Sequence, residues 1–271
     1  MAAQEKNIIG LIAGGGAFPL QIAETARDKG LTVIAIAHEG ETDPALAQKA
    51  DKIVWVKLGQ LGKVITALKK YNVQQALMAG TINKRRMFSK IKPDLKGLAF
   101  ISKMAIFHDD GILRAVAGEL EAEGIEMVSS TFCLPELLTP PGVLTRRKPN
   151  KEEKGDIEFG WEMAKALGKL DIGQCVVVRK KTVLAVEAIE GTDETIRRGG
   201  RLAGEKAVIV KVSKPRQDLR FDVPSVGLQT IQAMQEVNAA VLALEADKTL
   251  LFDKKKMLAL ADRSGIVIVA L

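Results

Sequence analysis

Near its start the chain runs IIGLIA (8–13) into Gly14, Gly15 and Gly16. It passes Ala17-Phe18-Pro19 and enters the helix-period stretch LQIAETARDKG, then a second apolar run, LTVIAIAHEG. Strand, glycine turn, helix and strand in that order restrict the fold more than any other feature. Two parallel strands need a crossover, and a helix is the usual one, so the stretch predicts an α/β unit with a parallel sheet. Pro19 suits the first helical turn, where a missing N–H costs nothing, and Gly30 suits the position just past the helix end. The pattern is that of a Rossmann-like domain. Its glycines allow a backbone to approach a bound anion, and the helix start offers N–H groups to it. A tight turn with no ligand is the competing reading. The dinucleotide fingerprint is incomplete. Gly14 and Gly16 match, but Pro19 stands where the third glycine belongs, and only Glu39 is available as the ribose-binding acid. There is no G-K-[ST], so this is not a P-loop.

The strand–helix alternation continues. DKIVWVKL (51–58) reads as a strand, and residues 60–72 read as a helix with Leu61, Val64, Ile65 and Leu68 on one face. Residues 73–79 form the next strand and lead to Thr81, which would face the crevice at the strand ends. The basic run Asn83-Lys84-Arg85-Arg86 is either a phosphate grip or a solvated helix start. His108-Asp109-Asp110 opens a helix, with one aspartate expected as its N-cap or, alternatively, as a site carboxylate. Residues 125–128 are the last strand of this half. Four of the nine prolines then fall within residues 131–150, including Pro140-Pro141-Gly142. The expected division is a Rossmann-like domain over 1–132, a linker over 133–150 that packs along a domain, and a second α/β domain over 151–271.

In the second half, a helix over 151–168 precedes two strands, CVVVRKK and TVLAVEA, joined near Lys181. Glu187 ends the second of these. A carboxylate at the end of an apolar strand is either paired or functional. Thr192 begins the next helix, as its cap or as a donor to phosphate. Arg197, Arg198 and Arg201 follow. The stretch SKPRQDLRFDVPSVGLQT (213–230) leaves a strand, KAVIVKV, and enters a helix. It carries Lys214, Arg216, Asp218, Arg220 and Asp222 on a loop. Loops on rigid elements commonly hold chemistry, and carboxylates among cations suit a phosphate held through a divalent ion. The alternative is a solvated turn whose aspartates pair with Arg216 and Arg220.

Composition narrows the classes. The formal net charge of +7 favours an anionic partner, but aromatics are 4% and no RNP-type motif is present, so nucleic acid is not expected. With only His38 and His108 in the chain, a metal must rest on oxygen ligands, which favours Mg²⁺ or Mn²⁺ over Zn²⁺. Cys133 and Cys175 sit among apolar neighbours and read as buried free thiols. No signal-type h-region and no spanning apolar run is evident. The expectation is a cytoplasmic soluble protein, with any inner-membrane contact peripheral and transient.

Five stretches, taken in order, resemble a known family. They are IIGLIAGGGAFPLQIAETARDKG, HDDGILRAVAGELEAEG, TPPGVLT, TVLAVEAIEGTDETIRRGG and KPRQDLRFDVPSVGLQTIQAM. Together they are similar to the UDP-2,3-diacylglucosamine pyrophosphatases of lipid A biosynthesis that lack the calcineurin-like metallophosphoesterase fold. The resemblance implies Mg²⁺-dependent hydrolysis of UDP-2,3-diacylglucosamine to UMP and 2,3-diacylglucosamine 1-phosphate. It also implies two domains with substrate held between them. It places an acidic residue essential for turnover at Asp222, with Asp218 its nearest rival. The segment TINKRRMFSK departs from the family's version, so no role is carried to Lys84, Arg85 or Arg86.

The resulting expectation is specific. Asp222 binds Mg²⁺ or orients the attacking water, and Asp218 and Glu187 assist as second ligand or base. Arg198, Lys214 or Arg220 neutralises the diphosphate, with Thr192 as a further donor. Gly14, Gly15, Gly16, Phe18 and Thr81 hold the nucleotide. A homodimer is compatible with this reading. The alternatives are a nucleotide-sugar-binding sensor without turnover, and an NAD(P) enzyme.

Overall fold

A computed structural model describes residues 7–82, 93–103, 109–215 and 217–271, with the backbone alone at 100–103 and 109–110. The basic run at 83–86, His108 and Arg216 lie outside the described residues, as do the side chains of Asp109 and Asp110. The chain divides into two compact units. The first is Met1–Leu134 with Asp218–Asp222, and the second is Pro135–Gln217 with Val223–Leu271.

In the first unit, β1 (Ile8–Ala13), β2 (Thr32–His38), β3 (Lys52–Val56), β4 (Gln75–Ala79) and β5 (Glu126–Met127) form a five-stranded sheet in the order β3-β2-β1-β4-β5. Every pairing in it is parallel. β1 and β2 are buried almost without a break, because neighbours cover both faces of a parallel sheet. The helices are α1 (Phe18–Asp28), the short α2 (Leu46–Lys49), α3 (Leu61–Lys70), α4 (Leu95–Lys103) and α5, described from Asp109 to Ala122. α3 buries Leu61, Val64, Ile65 and Leu68, the stripe read from the sequence. These pack with Ile12, Ile34, Ile36 and Met78 in one core, and Phe221 lies against it.

The second unit is built on a six-stranded sheet in the order β6-β13-β11-β9-β7-β8. Its strands are β6 (Gly142–Val143), β7 (Cys175–Arg179), β8 (Thr182–Val186), β9 (Val208–Lys211), β11 (Val241–Leu244) and β13 (Val267–Ala270). β9, β11 and β13 are parallel, while β6, β7 and β8 join as antiparallel flanks. The chain is therefore mixed α/β, as expected. The β7–β8 hairpin turns through Lys180 and Lys181, both at positive φ (50° and 55°). The Asp156 carboxylate accepts both of their N–H groups, at 2.9 and 2.6 Å. Asp156 lies on α6 (Lys151–Lys169), which starts in a capping box formed by Asn150 and Glu153. The proline-rich stretch is ordered on this unit: Thr139 N–H donates to Thr249 O, and β6 pairs with β13. Helices α7 (Thr192–Ala203), α8 (Leu228–Glu236) and α9 (Lys254–Arg263) complete it, with a short parallel pair, β10 (Ser225–Val226) and β12 (Leu250–Leu251). Neither cysteine is in a disulfide, and both are buried. Among the described residues no helix is long and apolar enough to cross a membrane.

Candidate functional site

The order of the first sheet reverses at β1. β2 and β3 lie to one side of it, and β4 and β5 to the other. Open parallel sheets hold ligands at the carboxyl ends of the strands flanking such a point. The glycine turn leaves β1 there, and Gly80-Thr81 leaves β4 beside it. The two turns are joined by backbone hydrogen bonds. Gly14 N–H donates to Ala79 O (2.8 Å), Gly15 N–H to Thr81 O (2.7 Å) and Thr81 N–H to Gly15 O (3.0 Å). A Cβ on Gly14 would stand 2.6 Å from Thr81 O, so its bareness serves the contact between the turns. Gly16 differs: it is exposed, with φ +89° and open space where a Cβ would point. α1 follows with Ala17 at its cap, no side-chain cap and no acidic residue in its first turn. The glycine turn is thus half internal joint, at Gly14 and Gly15, and half exposed approach to the helix, at Gly16.

His38 at the end of β2 was not picked out as a site residue. Its buried ring approaches Ala13 O through Nδ1 (3.0 Å), and Thr42 Oγ1 donates to the same carbonyl (2.6 Å). Burial pushes the imidazole pKa down, against the pull of Ala13 O and Glu41. A neutral ring with Nδ1–H on a carbonyl follows. In this role His38 supports the end of β1.

The loop after β9 is fastened at both ends and turns tightly in the middle. Ser213 N–H donates to Glu245 Oε2 (2.8 Å), and the Gln217 side chain accepts Lys214 N–H (3.0 Å). On its return, Pro224 O accepts Leu250 N–H (2.7 Å). Between them, Asp218–Asp222 forms a turn in which Asp218 O accepts from Phe221 N–H and Asp222 N–H, at 3.0 and 3.1 Å. Arg220 grips the Asp218 carboxylate as a fork, Nε to Oδ1 at 3.0 Å and Nη2 to Oδ2 at 2.9 Å. That contact leads the causes holding the Asp218 carboxyl below its ordinary pKa. Two expected site residues are therefore brought together as an ion pair. Asp222, half-buried, stands at the end of the same turn.

A second polar cluster belongs to the second unit. Glu187, 8% exposed, accepts from Thr192 Oγ1 (2.7 Å) and from Gln174 N–H (3.2 Å). Thr192 is not the helix cap: Gly191 holds that place, at φ 85°, and leaves the threonine hydroxyl to the carboxylate. The same hydroxyl accepts from Lys211 Nζ (3.0 Å), which also donates to Ser225 O (2.8 Å). Lys211 is 6% exposed and was not anticipated. Its one signal was a lysine ending an otherwise apolar strand. A buried ammonium and a buried carboxylate are thus bridged by one hydroxyl, which satisfies both without direct contact.

The remaining expected cations also have acidic partners. Arg198 meets Glu190 and Val186 O, and Lys214 meets Asp171 at 2.6 Å. Among the described residues no group of three His, Cys, Asp or Glu side chains could hold a metal. A carboxylate at Asp222 still suits Mg²⁺, which binds through one or two carboxylates and substrate phosphate oxygens and keeps several waters.

A parallel sheet with a glycine turn at its switch point, followed by a mixed-sheet unit, defines a two-unit α/β protein of the Rossmann-like class. Residues 8–137 match the family described as LpxI N-terminal domain, and residues 140–269 match LpxI C-terminal domain. The chain belongs to the LpxI family. It is similar to UDP-2,3-diacylglucosamine pyrophosphatase LpxI of Caulobacter vibrioides, at 33% identity across 96% of each chain. Among solved structures it resembles the biotin carboxylase subunit of pyruvate carboxylase, at 14% identity and a TM-score of 0.27 over 67% of this chain and 35% of that one. A biotin carboxylase complex from Campylobacter jejuni gives 14% and 0.27 over 73% and 42%. The chain spans less than half of either protein, and likeness at that TM-score carries no weight for fold or ligand.

Proposed function

We propose that this chain hydrolyses the pyrophosphate bond of UDP-2,3-diacylglucosamine, releasing UMP and 2,3-diacylglucosamine 1-phosphate. The observation that carries the reading is 33% identity along 96% of both chains with a relative bearing that activity in its name. The geometry supports it. Gly16 and the start of α1, where no side chain caps the helix, face a nucleotide phosphate, with Phe18 in the first turn and Thr81 at the neighbouring strand end. Asp222 is the reacting carboxylate, and it receives the proton as water adds to one phosphorus. The bridging P–O bond breaks, and its oxygen leaves with the other phosphate. Asp218, gripped by Arg220, shapes the turn that presents Asp222. Asp222 would also hold Mg²⁺, which when bound neutralises diphosphate charge and makes its water more acidic. The second unit carries its own polar groups, the Glu187–Thr192–Lys211 cluster and the paired cations Arg198 and Lys214, whose charge suits an anionic ligand.

The test is UMP release from UDP-2,3-diacylglucosamine. Asp222→Ala should lower kcat by about a thousandfold while leaving substrate binding, the range seen when a reacting group is removed. Chelation of divalent ions should stop the wild-type protein, and added Mg²⁺ should restore it. Wild-type turnover by Asp222→Ala would refute the assignment. Tight binding with no UMP release from the wild type would instead favour a sensor.

A further inference from the structure

We infer that Glu121, on α5, is a positioning residue for Asp222, acting through Arg220 to lock the turn 218–222 onto the first unit. The inference rests on the reading of Asp222 given above.

The turn comes from the second half of the chain yet belongs to the first compact unit. Separate contacts hold it there. Arg220 Nη1 donates to Glu121 Oε1 at 2.8 Å across 99 residues of sequence. Ser130 N–H donates to Arg220 O at 3.0 Å, and Ser129 Oγ reaches Leu219 O at 3.4 Å. Phe221 lies against the core of Leu68, Leu120 and Met127, with the Arg220 guanidinium over its ring at 4.7 Å. α5 also presents Arg114, two turns before Glu121 and so on the same face, and its charge acts on Asp218. Opposite charges therefore alternate between helix and turn: Arg114 with Asp218, Glu121 with Arg220.

The consequence concerns rigidity. The loop is attached to the second unit at Ser213–Gln217 and at Pro224, but the residues that present Asp222 are built into the first. Asp222 thus belongs to the same compact unit as the glycine turn. A reacting group tied to the unit that carries the nucleotide keeps its aim when the rest of the loop moves. A displacement of about 1 Å at such a group is enough to cost one to two orders of magnitude in rate. Arg220 alone cannot supply this, because its grip on Asp218 is internal to the turn. Glu121 joins the turn's fork to α5 by a hydrogen-bonded ion pair with Arg220.

The experiment is steady-state hydrolysis by full-length Glu121→Ala, with Glu121→Gln as the conservative partner. The expected result is a fall in kcat of about tenfold with KM changed by less than about twofold, and an intermediate value for Glu121→Gln. Amide exchange at 219–222 should quicken while β1 stays protected. Adding Glu121→Ala to Asp222→Ala should cost nothing further, since the group it positions is gone. Wild-type kcat in Glu121→Ala, a loss confined to KM, or a lower kcat with unchanged exchange at 219–222 would each overturn the inference. So would a further tenfold loss in the double variant. If Glu121→Ala does not fold, Glu121→Gln carries the same test with a loss of about threefold. A dead Asp222→Ala beside a fully active Glu121→Ala overturns this inference alone. A fully active Asp222→Ala overturns the earlier assignment and this one with it.

Discussion

Asp218 and Asp222 are four positions apart on one turn, yet their surroundings separate them. Asp218 has both oxygens in the Arg220 fork and its carboxyl held low, so it is poorly suited to accept a proton. Asp222 donates its N–H to Asp218 O and ends the turn that the fork tightens. The fork also has a pH signature. A carboxyl with a folded pKa below its unfolded value stabilises the fold above the unfolded pKa, and that contribution disappears as pH falls through the folded pKa. Asp218→Asn should therefore cost about 1 kcal/mol at neutral pH, the range for a partly exposed bidentate pair. The gap to wild type should close below the ordinary carboxylate range. Urea midpoints at pH 7 and pH 3 read this directly. Equal gaps at both values would show that the fork's charge contributes nothing.

At the scale of elements, the joint between the β1 and β4 turns is the informative feature. Two glycines there, Gly80 and Gly16, have different reasons to be bare. Gly80 combines φ +93° with a Cβ position 2.6 Å from Gly15 O, a backbone atom that cannot move without breaking the hydrogen-bonded pair. Gly16 has a similar φ but open space. Gly16→Ala should cost about 1 kcal/mol, the penalty of a left-handed residue. Gly80→Ala should cost about 3 kcal/mol, because steric overlap adds to the same backbone strain. Thermal or urea denaturation of the two variants ranks them. If they were equal, the turn-to-turn contact would not be holding the strand ends. The same logic applies to Thr192. Gly191 frees its hydroxyl from capping, and the hydroxyl links Glu187 to Lys211.

At the scale of the whole molecule, the chain crosses between its compact units at residue 134 and again at 217 and 223. The first unit's core is therefore completed by a residue more than eighty positions past its main body: Phe221, packed against the cluster that includes Leu68 and Leu120. Phe221→Ala should cost about 2 kcal/mol, less than a fully buried phenylalanine because the ring is half-buried. The loss should appear as faster amide exchange across β1 and β4 with the second unit's strands unchanged. Exchange that quickened in the second unit instead would place Phe221 in the wrong core.

The sequence by itself determined the parallel sheet of the first unit, the glycine turn, the helix stripes and several strand segments of the second unit, but not the order in which those strands pair. Each is written in local spacing, and a period of two or of 3.6 residues reports on a segment's own faces. It also marked 213–230 as a charged loop, either a phosphate site or a turn with paired aspartates, and the Asp218–Arg220 pair of the second reading is present. The tertiary structure alone decided which charge meets which. Arg220 had several carboxylates open to it by sequence and took Asp218 and Glu121, the second of these 99 residues away. Lys211 looked like an ordinary strand end until burial forced it onto Thr192 and Ser225 O. Pairing depends on which distant segments the packed core brings within a few ångströms, and no local period encodes that distance.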